Sequence, residues 1–147
     1  MFKTIVVGTD GSTEADSAFA LATKLAEQDG ARLIVVHVQE FLGGKGGVYP
    51  LHIDEDEIMT RVHDAVDDLN RRGIKTELDV EQIPYGGPAH IIAEVAKKAD
   101  VDLIVVGNKG RNPVSEIMLG NVPTRLLHIA HRPVLVVPVE KQATASS

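Results

Sequence analysis

Gly107-Asn108-Lys109-Gly110, nine residues, then Gly120-Asn121 is the stretch of this chain best suited to chemistry. Glycines let a backbone approach a ligand closely and reach left-handed dihedrals, and the N–H groups freed in such turns can line an anion. Asn121 is a good N-cap for a helix running through His131. A helix start aimed at a ligand holds phosphate with its N–H groups and its dipole. Lys109 adds charge. The same glycines also serve as ordinary loop punctuation. Their context favours phosphate: a buried-strand pattern, Val101–Gly107, precedes them and a helical pattern follows.

A second segment resembles the first. Ile5-Val-Val-Gly8-Thr9-Asp10-Gly11 and Ile104-Val-Val-Gly107-Asn-Lys-Gly110 share I-V-V-G-x-x-G. Both are strand ends followed by turns that glycine permits. Asp10 has two readings here, as a turn former or as a ligand residue at the end of the first strand.

Other chemistries find no support. There is no G-x-x-x-x-G-K-[ST], so Gly44-Lys45-Gly46 is not a Walker loop; it reads as a flexible loop, with a lid as the lesser reading. No G-x-G-x-x-G follows the first strand, and no G-x-S-x-G appears. Cysteine is absent, which excludes disulfides, thiol catalysis and Cys-based zinc sites. His63 with Asp67, and Asp64 with Asp68, lie one helical turn apart and read as a solvated face. His52 with Asp54, Glu55, Asp56 and Glu57 reads as an acidic helix start, favoured by the dipole. His37 reads as core or sheet-facing, His90 falls in the first turn of a helix, and His128 and His131 close the last helix. No paired-carboxylate catalytic site is evident.

The elements that must position these residues alternate. Thr4–Gly8 reads as a buried strand, Thr9–Ser12 as a turn, and Thr13 to Gly30 as a helix with its stop. Ala31–Gln39 is a second buried strand. Phe41–Pro50, with Gly43, Gly44, Gly46 and Gly47, reads as a loop rather than an element. His52–Arg72 is a helix stopped by Gly73, and Lys75–Ile83 a charged edge strand. A helix starts at Gly86-Gly-Pro-Ala89. Val101–Gly107 is the fourth strand, Asn108–Gly120 a glycine-bounded excursion, Val122–His131 a helix, and Pro133–Val139 the fifth strand. Gln142–Ser147 reads as a frayed polar tail after a single domain over residues 1–141. Strict β-α alternation implies an α/β fold, a doubly wound five-stranded parallel sheet with helices on both faces. The expected order is 3-2-1-4-5. Winding then reverses between strands 1 and 4, and the crevice at their C-terminal ends is the expected ligand site.

Composition narrows the partners. Hydrophobic residues at 44% and charged residues at 24% of 147 suit one domain with a real core. A net charge of −6 suits neither DNA nor RNA, and 3% aromatics cannot furnish a base-stacking platform. Apolar runs such as Leu33–Val36 and Val134–Val137 are far short of the roughly 20 residues of a membrane span. With no signal-peptide pattern after Met1, a cytoplasmic protein is expected.

The combined pattern resembles the universal stress protein family, in its ATP-binding branch. The resemblance covers nearly the whole chain. It rests on I-V-V-G-T-D-G-S at the start, H-V at the end of the second strand, and Gly86, Pro88 and Ala89 before the third helix. D-L-I-V-V-G, the spaced glycines and H-R-P-V-L-V-V complete it. Two departures stand out: Asn121 where the family most often has Ser or Thr, and Pro123, which removes an N–H from the helix start. The resemblance implies an adenine nucleotide at the switch point. Asp10, with Gly8 and Thr9, would sit near ribose and adenine, and the Val38 backbone would read the adenine edge. Val106, Gly107, Lys109 and Gly110 would face the ribose and first phosphates. Gly120, Asn121 and Val122 would hold the outer phosphates, bridged by Mg²⁺ or Mn²⁺.

Function divides into two main readings. One is an ATP-binding regulatory protein whose nucleotide state modulates a protein partner; the other is a slow ATP hydrolase. A hydrolase needs a positioned base or water-orienting group. Arg111 and Glu116 stand at no recognisable catalytic spacing, so binding is favoured. A binder of AMP or a cyclic nucleotide stays open. Finally, Pro133–Val139 is apolar on both faces, carries no charge and is expected at a sheet edge, which predicts a homodimer through this strand. The family resemblance points the same way.

Overall fold

The computed structural model describes residues 1–11, 15–44, 47–50, 55–84, 87–108 and 121–139. Within them the chain runs β1 (Thr4–Thr9), α1 (Asp16–Asp29), β2 (Arg32–Gly44), β3 (Gly47–Pro50), α2 (Glu55–Arg71), β4 (Thr76–Pro84), α3 (Pro88–Lys98), β5 (Leu103–Gly107), α4 (Asn121–Ile129) and β6 (Val134–Val137). β4, β2, β1, β5 and β6 lie side by side and all run parallel. This is the expected order 3-2-1-4-5, and the winding reverses between β1 and β5. Gly30 ends α1 in the left-handed conformation with φ 65°, its N–H bonded to the Ala26 carbonyl.

Alternation along each strand sorts the core into two layers. Ile5, Val7, Leu33, Val35, Leu103 and Val105 face α1 and α2, where Ala18, Ala22, Ala26, Ile58, Val62 and Leu69 cover them. Val6, Ile34, Val36, Ile104 and Val106 face the other way, against Ala89, Ile92 and Ala96 of α3 and Leu126 of α4. Both faces are therefore dry, which is why the central strands read as continuous β-branched runs. β4 pairs with β2 and lies at an edge, as its charges predicted. There Glu81 shares a hydrogen bond with Asp79. That bond and the neighbouring negative charge push the Glu81 carboxyl above its ordinary value.

One expectation is corrected. Phe41–Pro50 was expected to be a loop, but β2 continues to Gly44 and turns back as β3 in an antiparallel hairpin, with Phe41 opposite Pro50 and Gly44 opposite Gly47. Gly43, Gly44 and Gly47 themselves occupy paired strand positions. Phe41 also pairs with Pro84 of β4, so β3 takes the other side of β2, the side β1 leaves after Thr9 pairs with His37. The hairpin thus stands beyond the C-terminal end of β1. The expected tail, residues 142–147, lies outside the described residues.

Two glycines let helices close in on that end of β1. A Cβ on Gly8 would come 2.8 Å from Ile92 Cδ1 of α3 and 3.3 Å from Val106 Cγ1. On the opposite face, a Cβ on Gly11 would overlap Ile58 Cγ2 of α2, and Gly11 has φ +76°. The far end of Ile92 can swing aside, whereas a β-branched side chain on a helix is held at its Cγ2. Gly11→Ala is therefore expected to cost about 2 kcal/mol or more, and Gly8→Ala about 1 kcal/mol. Urea unfolding of both variants checks the ranking, and equal costs would contradict it.

The opposite ends of the strands are pinned by Asp102. Its Oδ2 accepts from the Lys3 N–H at 2.7 Å and the Thr4 N–H at 3.0 Å, and these bonds hold its carboxyl below the ordinary value of 3.8. A carboxylate whose pKa falls on folding contributes stability above its unfolded pKa and loses it as pH drops through the folded one. Asp102→Asn should be less stable than the wild type at pH 7. The gap in melting temperature should narrow as pH falls below 3.8. A gap independent of pH would contradict the assignment.

Candidate functional site

The site is built on a turn that the chain fixes from several directions. Thr9 ends β1, and its Oγ1 accepts from the Gly11 N–H at 3.0 Å, closing the turn that carries Asp10. The Thr9 carbonyl accepts from His37 Nδ1 at 3.0 Å. His37 is 1% exposed, and its Nε2 lies 2.5 Å from Glu55 Oε1, at the first residue of α2. Ile58, one turn further along α2, packs on Gly11. The first turn of α2 therefore holds the 9–11 turn twice, through an apolar contact and through the His37–Glu55 pair.

The topology brings most of the expected site residues to one place. Gly8, Thr9 and Asp10 lie at the end of β1, Val38 in β2 one residue past the Thr9–His37 pairing, and Val106 and Gly107 at the end of β5. Asp10, Thr9 and Gly107 are half-buried. Val106 is buried, and Val38 and Val122 are half-buried, all against the α3–α4 layer of the core. Their side chains serve packing. α4 begins at Asn121, and the residues before it, 109–120, lie outside the described residues. Pro123 is then third in the helix, where a backbone N–H has no partner within the helix in any case. The helix ends at Ile129, short of His131, which takes a left-handed φ of 51° as the chain leaves it. Lys109, Gly110 and Gly120 lie outside the described residues, as do Arg111 and Glu116.

Two grooves open elsewhere. One of about 360 Å³ runs between α1 and α2 past Thr23, Glu27 and Arg72. Another of about 400 Å³ runs between β4 and α3 past Asp79, Glu81 and Lys98. Neither contains an expected site residue.

A model described as the universal stress protein family matches residues 1–138. The chain belongs to this family. A universal stress protein of Bacillus subtilis is 33% identical over 147 residues, covering 93% of this chain and 99% of the relative. A universal stress protein whose crystal structure is in complex with cAMP is 25% identical, with a TM-score of 0.65 over 95% of this chain and 98% of its own. One from Archaeoglobus fulgidus in complex with dAMP is 25% identical, with a TM-score of 0.61 over 92% and 97%. The resemblance drawn from the spaced glycines and strand motifs therefore holds, and the observed sheet is that of universal stress proteins.

Some residues of this universal stress protein fold carry duties that the glycine pattern hid. Glu55 read only as part of an acidic helix start, yet it meets His37 across 18 positions of sequence. The signal was a histidine inside the apolar run Leu33–Val38, since a buried polar ring requires partners. Asn108 joins the end of β5 to the chain after β6. Its N–H donates to the Val137 carbonyl at 2.9 Å and its Oδ1 accepts from the Val139 N–H at 3.2 Å. His63, Asp64, Asp67 and Asp68 are exposed on α2, the solvated face their spacing indicated.

Proposed function

We propose that this chain is an adenine-nucleotide-binding regulatory protein. ATP is its expected ligand, and its nucleotide state modulates a protein partner in the cytoplasm. The observation that carries this reading is the placement of the Thr9–Gly11 turn between His37–Val38 of β2 and the end of β5 at the winding reversal. The relatives in complex with cAMP and dAMP support the adenine class. Gly8, Thr9 and Asp10 would take the ribose and base, and the Val38 backbone the adenine edge. Val106, Gly107, Lys109 and Gly110 would take the ribose and inner phosphates, and Gly120, Asn121 and Val122 the outer ones. Among the described residues no three His, Asp or Glu side chains converge to hold an ion. Mg²⁺ or Mn²⁺ would arrive on the phosphates of ATP.

A second reading, a binder of AMP or a cyclic nucleotide, is favoured by the same two relatives. Denaturing the purified protein and identifying released nucleotide by mass separates the two, and calorimetry with ATP, AMP and cAMP ranks them. Asp10→Ala should weaken ATP binding by about tenfold to a hundredfold, the worth of a hydrogen bond involving a charged group. Unchanged affinity with lowered thermal stability would make Asp10 a turn residue only.

We further propose a homodimer through residues 133–139. β6 pairs with β5, and Val134, Leu135 and Val136 are only half-buried within one chain. Two copies related by a two-fold axis would continue the sheet across both subunits. Light scattering should give a dimer at micromolar concentration and a monomer for Leu135→Lys. A monomeric wild type, or a dimeric Leu135→Lys, would place the contact elsewhere or remove it.

A further inference from the structure

His37 is an expensive residue for its position. It shares a sheet face with Leu33 and Val35, both fully buried, where another aliphatic side chain would suit the core. Its two ring nitrogens each meet an acceptor. The Thr9 carbonyl can only accept, so Nδ1 carries a hydrogen and donates it. At 2.5 Å from Glu55 Oε1, Nε2 requires a second proton between the two atoms. The fold thus places a proton-sharing pair inside an apolar layer, with Glu55 only 12% exposed, which carries a desolvation cost. What that pair grips is the last carbonyl of β1, in the same rigid peptide plane as the Asp10 N–H.

We propose that His37, oriented by Glu55, is the positioning residue of the nucleotide site. By fixing the Thr9–Asp10 peptide it sets the direction in which the chain presents Asp10 to the ligand. This deepens the nucleotide-binding reading and rests on it. Glu55 holds the ring in the one orientation that aims Nδ1 at Thr9. The Thr9 hydroxyl and the Ile58–Gly11 contact fix the far side of the turn. A ligand group meeting Asp10 then finds it already oriented and pays little ordering entropy.

The test separates the two ring nitrogens. His37→Asn keeps a donor near the Nδ1 position and gives up Glu55; His37→Gln reaches toward Glu55 and gives up Thr9; His37→Val keeps neither. ATP affinity is measured for each by calorimetry, and the Asp10 amide signal is followed by NMR in the nucleotide-free proteins. His37→Val and His37→Gln should lose about tenfold in affinity or more, the worth of a hydrogen bond to a charged group, with the Asp10 amide signal displaced. His37→Asn should recover most of both. In an Asp10→Ala background, His37→Val should cost under about twofold, because the two act through one contact. A folded His37→Val that binds ATP like the wild type overturns the proposal. So do Asn and Gln variants that behave alike, or losses that add in the double variant. A wild-type protein that binds no adenine nucleotide is a different result: it removes the functional reading itself, and this proposal with it.

Discussion

The C-terminal end of β1 is pressed between helices on both faces of the sheet, and that crowding sets the rest of the architecture. α3 comes in over Gly8 through Ile92, and α2 comes in over Gly11 through Ile58. Neither position has room for a side chain without adjustment, and Gly11 also needs its positive φ. Helices packed this closely leave the polar turn only half-exposed. Two of its backbone groups find partners within the protein. The Gly11 N–H goes to the Thr9 hydroxyl and the Thr9 carbonyl to His37.

A turn so constrained has little freedom left to lose. That is the physical property a small-ligand site at a winding reversal needs, because ordering the site on binding would otherwise subtract from affinity. The same crowding explains where the valines point. Val38, Val106 and Val122 turn their side chains into the α3–α4 layer, so in the proposed site they would meet a ligand with main-chain groups. Backbone recognition of this kind depends on the path of the chain more than on side-chain identity.

The sheet was legible in sequence because its central strands are buried on both faces. Ile5–Val7, Leu33–Val36 and Leu103–Val106 leave no other reading than parallel strands under helices. The stops at Gly30 and Gly73 were legible for the same local reason, a left-handed residue where a helix must end. The β2–β3 hairpin was not legible: its glycines look like loop composition, and the pairing of Phe41 with Pro50 leaves no trace in a hydrophobic pattern. Gly8 was legible as a special position, and the fold adds a demand on it that the glycine pattern did not show, the approach of Ile92. The His37–Glu55 pair was invisible as a pair. Each residue had a sufficient local explanation, and only the tertiary fold brings them together.

The central claim is that a nucleotide is received at the crowded end of β1, between β2 and β5. The most direct measurement is an NMR titration of the isotope-labelled protein with ATP, following every backbone amide. The account predicts shifts centred on residues 8–11, 37–38, 106–108 and 121–122, with the groove between α1 and α2 and the groove between β4 and α3 silent. Shifts centred on Thr23, Glu27 and Arg72, or on Asp79, Glu81 and Lys98, would contradict it.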